Sequence, residues 1–160
     1  MTKQQFLRRT NAPWQMRLFL FSKLPAAWFM GIGVRSCDGQ KAVVSLPYGW
    51  RAQNPFRSTY FAAQCAAGEL STGLLCLTHL QEQPPVSMLV TRVEAEFFKK
   101  ADAMLLFTCT SGQEVEALIQ RVVQSGAAES LAMVSSGSLP DGQLASRIII
   151  TWSFKLKKRK

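Results

Sequence analysis

Between Asn54 and Leu80 the chain reads NPFRSTYFAAQCAAGELSTGLLCLTHL, and this stretch constrains the fold more than any other. From Ser58 to Leu80 the spacing predicts one helix, with Pro55 in the turn before it and Ser58 as its N-cap. Alanine, leucine, cysteine and glycine fall on every side of the helical wheel, and a helix apolar all round belongs in an interior. Ala62, Ala63, Ala66, Ala67, Gly68 and Ser71 are small enough to let neighbouring backbone come close. Glu69 breaks the pattern. It is the only carboxylate between Asp38 and Glu82, and no Lys or Arg lies in the helix to pair with it. A carboxylate so placed costs several kcal/mol unless a partner or water reaches it. Two readings stay open: pairing with a distant cation such as Arg92, or a functional role.

Strand patterns surround this helix. Gly31–Cys37 and Gln40–Leu46 flank Asp38-Gly39, the signal of a two-residue hairpin. After Pro84-Pro85, residues 88–99 alternate, with Val93, Ala95 and Phe97 on one face and Arg92, Glu94 and Glu96 on the other. Residues 104–110, 128–135 and 144–156 read as three more strands. Gly112–Gln124 reads as a short amphipathic helix whose Val115, Leu118, Ile119 and Val122 form a core-facing stripe. Two strands, a long buried helix, and four strands with a small inserted helix make an α+β chain. An antiparallel sheet of about six strands wrapped round the helix would cover its apolar surface.

At 160 residues the chain is long enough for one domain with a real core, and 48% hydrophobic against 18% charged residues excludes a disordered chain. The net charge of +9 is unevenly placed. Residues 1–35 hold six cations and no carboxylate, residues 147–160 hold six more, and the middle is slightly acidic. Cysteines 37, 65, 76 and 109 have no metal or redox spacing. Cys65 and Cys76 would lie about 16 Å apart along one helix, too far for a disulfide. Reduced thiols in a cytoplasmic protein are expected. Residues 1–31 are aromatic and basic, and Arg17, Lys23 and Pro25 interrupt every candidate signal or membrane-spanning run. Trp14, Leu18 and Phe21 share a helical face after Pro13. That face is expected to cover the core, the alternative being a membrane surface met through its basic rim.

The spacing of Asn54, Tyr60, Phe61 and Glu69 resembles that of hotdog-fold acyl-thioesterases of the phenylacetate-pathway type. Those proteins carry Asn, then His-Gly-Gly opening a long buried helix, then Asp or Glu on it. The phrase NPFRSTYFAAQCAAGELSTG is more similar still to an uncharacterised, thioesterase-like branch of the hotdog superfamily, over residues from about 26 to 156. The resemblance implies a hotdog fold. By it, Asn54 and the N–H of Phe61 hold a thioester carbonyl, Tyr60, Phe61 and Ser58 border the substrate, and Glu69 is base or nucleophile. Tyr60 stands where the family has histidine, and it cannot replace that group as a base near neutral pH. Phe61-Ala62 replace the glycines. Phe61 and Glu69 are eight residues apart, about 12 Å on one helix, so they cannot meet one carbonyl within a single chain. A shared site then needs Glu69 from a second subunit, in a homodimer or a dimer of dimers.

Three functions follow as expectations. The first is hydrolysis of acyl-CoA or acyl-carrier-protein thioesters. The second is a hotdog module that holds acyl or other apolar groups without turnover. The third is a basic interaction protein, although the final KLKKRK reads as a solvated run and nucleic acid is not an expected partner. No motif calls for a metal or a cofactor, and GIG at 31–33 opens a strand rather than a nucleotide-binding helix. His79, the only histidine, sits in the last turn of the long helix, where a surface or capping role is expected.

Overall fold

The computed structural model describes residues 1–157. Three helices come first, α1 (Lys3–Thr10), α2 (Pro13–Lys23) and α3 (Pro25–Phe29). Strands β1 (Gly33–Cys37) and β2 (Ala42–Leu46) precede the long helix α4 (Phe61–Leu80). Then follow β3 (Val86–Phe97), β4 (Leu105–Cys109), α5 (Gly112–Ser125), β5 (Glu129–Ser138) and β6 (Leu144–Leu156). The strands form one antiparallel sheet in the order β1-β2-β4-β5-β6-β3.

The sheet's inner face is apolar by alternation. Val44, Phe107, Met133, Ile148 and Ile150 are fully buried there, and α4 packs against them. Two glycines in a helix cost about 1 kcal/mol each. Burial of Leu70, Leu74 and Leu75, at about 2 kcal/mol apiece, outweighs that. Gly68 is required by geometry, because a Cβ there would stand 2.7 Å from Cβ of Ile148. Three hydroxyls of α4 bond to the helix's own backbone. Ser71, Thr72 and Thr78 donate to the carbonyls of Gly68, Glu69 and Leu74. Ser71 also shares a 2.7 Å hydrogen bond with Ser135, and Trp152 Nε1 donates to Thr72 Oγ1, tying α4 to β5 and β6.

Four sequence expectations need correction. Helix α4 starts at Phe61 with Tyr60 as N-cap, so Ser58 is not the cap. The amides of Thr59 and Tyr60 are drawn out of helical geometry by Ala101 O and Ala52 O, each at 2.7 Å. The β1–β2 turn spans residues 38–41 rather than two, because Asp38 Oδ1 accepts the amides of both Gln40 and Lys41 and holds a wider loop. On α2 the core is met by Met16 and Leu20, while Trp14, Leu18 and Phe21 point to solvent. Asn11 contributes to this: its amide pairs with the backbone of Cys37 at both ends, 2.7 and 2.8 Å, fixing where α2 begins over β1. Finally, His79 is buried and not at the surface. Its Nε2 donates to Gly39 O at 2.8 Å while Nδ1 faces Lys3 and Glu116. Burial holds its pKa below the ordinary range against the Gly39 hydrogen bond, which acts the other way. It is a neutral strut between α4 and the β1–β2 turn. The basic tail beyond Lys157 lies outside the described residues.

Candidate functional site

The loop before α4 is a tight, cross-braced ribbon. Gln53 and Thr59 form a β-bridge, and the Asn54 amide donates to Ser58 O at 2.8 Å. Asn54 Oδ1 accepts from Phe56 N and Ser58 N at 3.0 and 3.2 Å. Arg57 takes a φ of 55°, a left-handed conformation that closes the turn. With its oxygen consumed by the loop, Asn54 keeps Nδ2 free of any protein acceptor among the described residues. That leaves it as a fixed donor. Ser58 is committed elsewhere: its Oγ exchanges hydrogen bonds with the backbone of Ala101, 3.3 Å each way.

At the start of α4, Ala63 and Gln64 donate to Tyr60 O, while the N–H groups of Phe61 and Ala62 find no acceptor among the described residues. Free amides at a helix start favour an anionic oxygen. Around them stand exposed aromatic side chains. Tyr60 and Phe61 stack edge to face at 4.8 Å, and both are about half exposed. Gln64, which the sequence analysis did not single out, is buried one turn on. Its Nε2 donates to Thr59 O, yet its Oε1 is buried without a partner among the described residues. A buried amide oxygen left unpaired is an acceptor for a ligand or a water donor. The residue gives no sequence signal, since glutamine is ordinary in a helix.

Glu69 lies two turns further along α4, so the structure does not bring it to Asn54 and Phe61 within one chain. Its carboxylate lies near Gly73, one turn on: a Cβ built at Gly73 would be 3.8 Å from Glu69 Oε1 and 3.4 Å from the ring of Trp152. The depression it borders has a volume of about 240 Å³, and Phe19, Leu24, Leu77, Met88 and Trp152 supply its apolar walls. Burial alone pushes the Glu69 carboxyl above the ordinary carboxylate range. No cation pairs with it among the described residues. Arg92, the candidate structural partner, binds Glu94 at 3.1 Å instead. The sequence could not name Lys23, which lines the same depression without reaching ion-pair distance. The described residues hold no cluster suited to a metal ion, and no helix is long and apolar enough to cross a membrane.

A long buried helix with a six-stranded antiparallel sheet around it is the hotdog arrangement. Solved structures agree on the fold. A thioesterase from Haemophilus influenzae superposes with a TM-score of 0.70 at 12% identity, over 92% of this chain and 94% of that one. A Pseudomonas aeruginosa protein, described as of unknown function and a probable thioesterase, gives 0.73 at 13% identity, over 89% and 95%. A Chlorobaculum tepidum protein with unknown function gives 0.72 at 13%, over 91% and 97%. No curated protein matches the chain. The chain belongs to the family of the domain of unknown function DUF4442, whose model matches residues 13–152.

Proposed function

We propose that the protein is an acyl-thioester hydrolase acting on acyl-CoA or an acyl-carrier protein, with each site shared between two subunits of a homodimer. The observation that carries this reading is Glu69: a carboxyl raised by burial, without a counter-charge among the described residues, beside an apolar depression. Such a group suits a base or nucleophile better than a structural pair. In the assembled site the thioester carbonyl lies against Asn54 Nδ2 and the N–H of Phe61. Glu69 of the partner subunit either removes a proton from the attacking water or attacks the carbonyl itself, and in the second case water then cleaves the mixed anhydride on Glu69 to release the acid. The two amides hold the negative charge that develops on the carbonyl oxygen, and the thiolate of the carrier leaves.

The dimer is supported by β3, the sheet's last strand on that side. Val93, Ala95 and Phe97 pair with Ile150, Ile148 and Ser146 and therefore share the inner, core-facing side of the sheet. Nevertheless all three are exposed. An apolar inward strip on a long open edge calls for a second chain, which would add its own β3 and cover the strip. A dimer of dimers remains compatible with the same edge.

Tyr60 and Phe61 favour a second reading. Their rings pair edge to face at 4.8 Å and belong to the N-cap and the first residue of α4, the end at which a carbonyl would be held. An acyl-binding module without turnover would keep this aromatic cover. Release of free thiol from a panel of acyl-CoA substrates decides between them. The hydrolase reading expects turnover that Glu69→Gln lowers by at least about a hundredfold with fold and dimer intact. Saturable acyl-CoA binding with no thiol released by the unaltered protein would establish the module instead.

A further inference from the structure

Between α1, α2 and the C-terminal half of α4 lies a cavity of about 420 Å³ that the proposed hydrolytic site does not use. This is the size of an ordinary small-ligand site. Phe6, Met16, Phe19, Leu74 and Leu77 make its walls apolar, with the largely exposed Trp14 beside them. Its polar border is Arg9 with Thr10 and Gln15. Met1, Arg9 and Gln15 also line an adjoining depression of about 380 Å³, where Arg8 and Gln5 join them. Arg9 thus borders both spaces, and Arg8 stands in the second of them.

Among the described residues those two groups have no counter-charge. Arg8 and Arg9 occupy the last turn of α1, where the helix end tolerates cations. Neither forms an ion pair among the described residues, and residues 1–35 contain no carboxylate. Among the described residues the one side-chain hydrogen bond of the Arg9 guanidinium goes to Met1 Sδ at 3.7 Å. Neighbouring cations that face an apolar cleft without an anion are suited to a ligand that supplies both halves. Arginine is the cation best fitted to a carboxylate or phosphate, which it can grip with two parallel hydrogen bonds.

We propose that this cavity binds a single-chain amphiphile with an anionic head, its aliphatic chain against Phe19, Leu74 and Leu77 and its head on Arg8 and Arg9. The head comes from a fatty carboxylate or from a lysophospholipid phosphate, which present the same chemistry. Phe19 and Leu77 border both this cavity and the Glu69 depression, so the bound chain lies beside the carboxylate without touching it. Occupancy would brace α2 against α4 at the wall of that depression. The site does not depend on thioester hydrolysis.

The test titrates the full chain with hexadecanoate, lysophosphatidate and hexadecanol in turn, following Trp14 by quenching with chain-brominated versions and stoichiometry by calorimetry. The proposal expects saturable one-to-one binding of at least one anionic ligand; which of the two binds identifies the source of the head. Arg8→Glu with Arg9→Glu should raise Kd by about tenfold or more, and Leu77→Trp, which fills the cavity, should abolish binding. Glu69→Gln should bind as the unaltered protein does, so loss of hydrolysis and loss of this site are separable. If Leu77→Trp does not fold, as judged by circular dichroism, the arginine pair still decides. Hexadecanol binding as tightly as hexadecanoate, or an unchanged Kd in the arginine variant, would overturn the proposal. So would partition into anionic vesicles without one-to-one binding, which would assign the exposed Trp14, Leu18 and Phe21 to a lipid surface.

Discussion

Glu69 carries opposite consequences for stability and for chemistry. Its pKa is raised by burial, so the folded chain favours the protonated form. A carboxyl with a raised folded pKa contributes stability that is fully present below its unfolded pKa and lost as pH rises through the folded value. Glu69→Gln is neutral throughout. The variant's melting temperature should therefore gain on that of the unaltered protein as pH climbs from the ordinary carboxylate range towards neutrality. Thermal denaturation across that window checks it, and a gap independent of pH would mean that a counter-charge has been found. Catalysis runs the other way, because a base or nucleophile must be ionised. The acidic limb of kcat/KM should lie above the ordinary carboxylate range and vanish from whatever turnover Glu69→Gln retains. Asn54 provides an independent test at the other end of the site. Its Oδ1 is occupied by Phe56 and Ser58 amides, so only Nδ2 can serve a ligand. Asn54→Asp would keep the loop's acceptor while replacing the donor with a negative charge. Turnover should fall by about 10²–10³, the loss expected for one oxyanion donor, while the fold survives. Retained turnover in that variant would remove Asn54 from the mechanism.

Among the elements, α4 decides the architecture through how closely it approaches β6. At Gly68 an added methyl would meet Cβ of Ile148 at 2.7 Å, and a branched Cβ held in a strand cannot swing aside. Overpacking of this kind costs about 1–3 kcal/mol, against about 1 kcal/mol gained in helix propensity. Gly68→Ala should lower stability in denaturant unfolding. Gly49→Ala, where nothing lies within 4 Å, should change it by less than about 0.5 kcal/mol. Equal effects at the two positions would contradict the close approach. The existence and burial of α4, the strand β6 over residues 144–156 and the stripe on α5 were legible because each is a long, consistent period. The start of α4 was not legible. Ser58 has the chemistry of a cap, but the amides of Thr59 and Tyr60 are held by Ala101 and Ala52. Local sequence carries no trace of either partner. Helix α2 failed for a different reason: it has two apolar stripes, Met16 with Leu20 and Trp14 with Leu18 and Phe21. Periodicity shows both and cannot choose between them. Of the candidate site, Asn54 and Glu69 stood out by type and spacing, whereas Gln64 and the arginine-bordered cavity arise only when distant elements meet.

At the scale of the whole molecule, the separation of Asn54 and Phe61 from Glu69, two turns along α4, is what the proposed hydrolysis must accommodate. The open side of the sheet offers the means. A bulge between Val90 and Arg92 resets the register, and beyond it Val93, Ala95 and Phe97 face inward while Arg92, Glu94 and Glu96 face out. Two copies joined along β3 would continue the sheet and bring each Glu69 towards the other chain's α4. A carboxylate at Val93 would be buried between apolar neighbours in such a dimer, at a cost of several kcal/mol, but would remain solvated in a monomer. Val93→Asp should therefore give a folded monomer by light scattering at micromolar concentration, with circular dichroism unchanged. Turnover should be lost with the dimer, since no single chain can place both halves of the site on one carbonyl. Mixing Glu69→Gln chains with Asn54→Asp chains adds a sharper measurement. Each variant alone is expected to keep about a hundredth of the turnover or less, but in mixed dimers one of the two sites draws an intact Asn54 from one chain and an intact Glu69 from the other. Activity recovered on mixing would require a site shared between subunits, whereas a mixture as inactive as its components, with subunit exchange demonstrated, would place both residues' work within one chain and exclude the shared site.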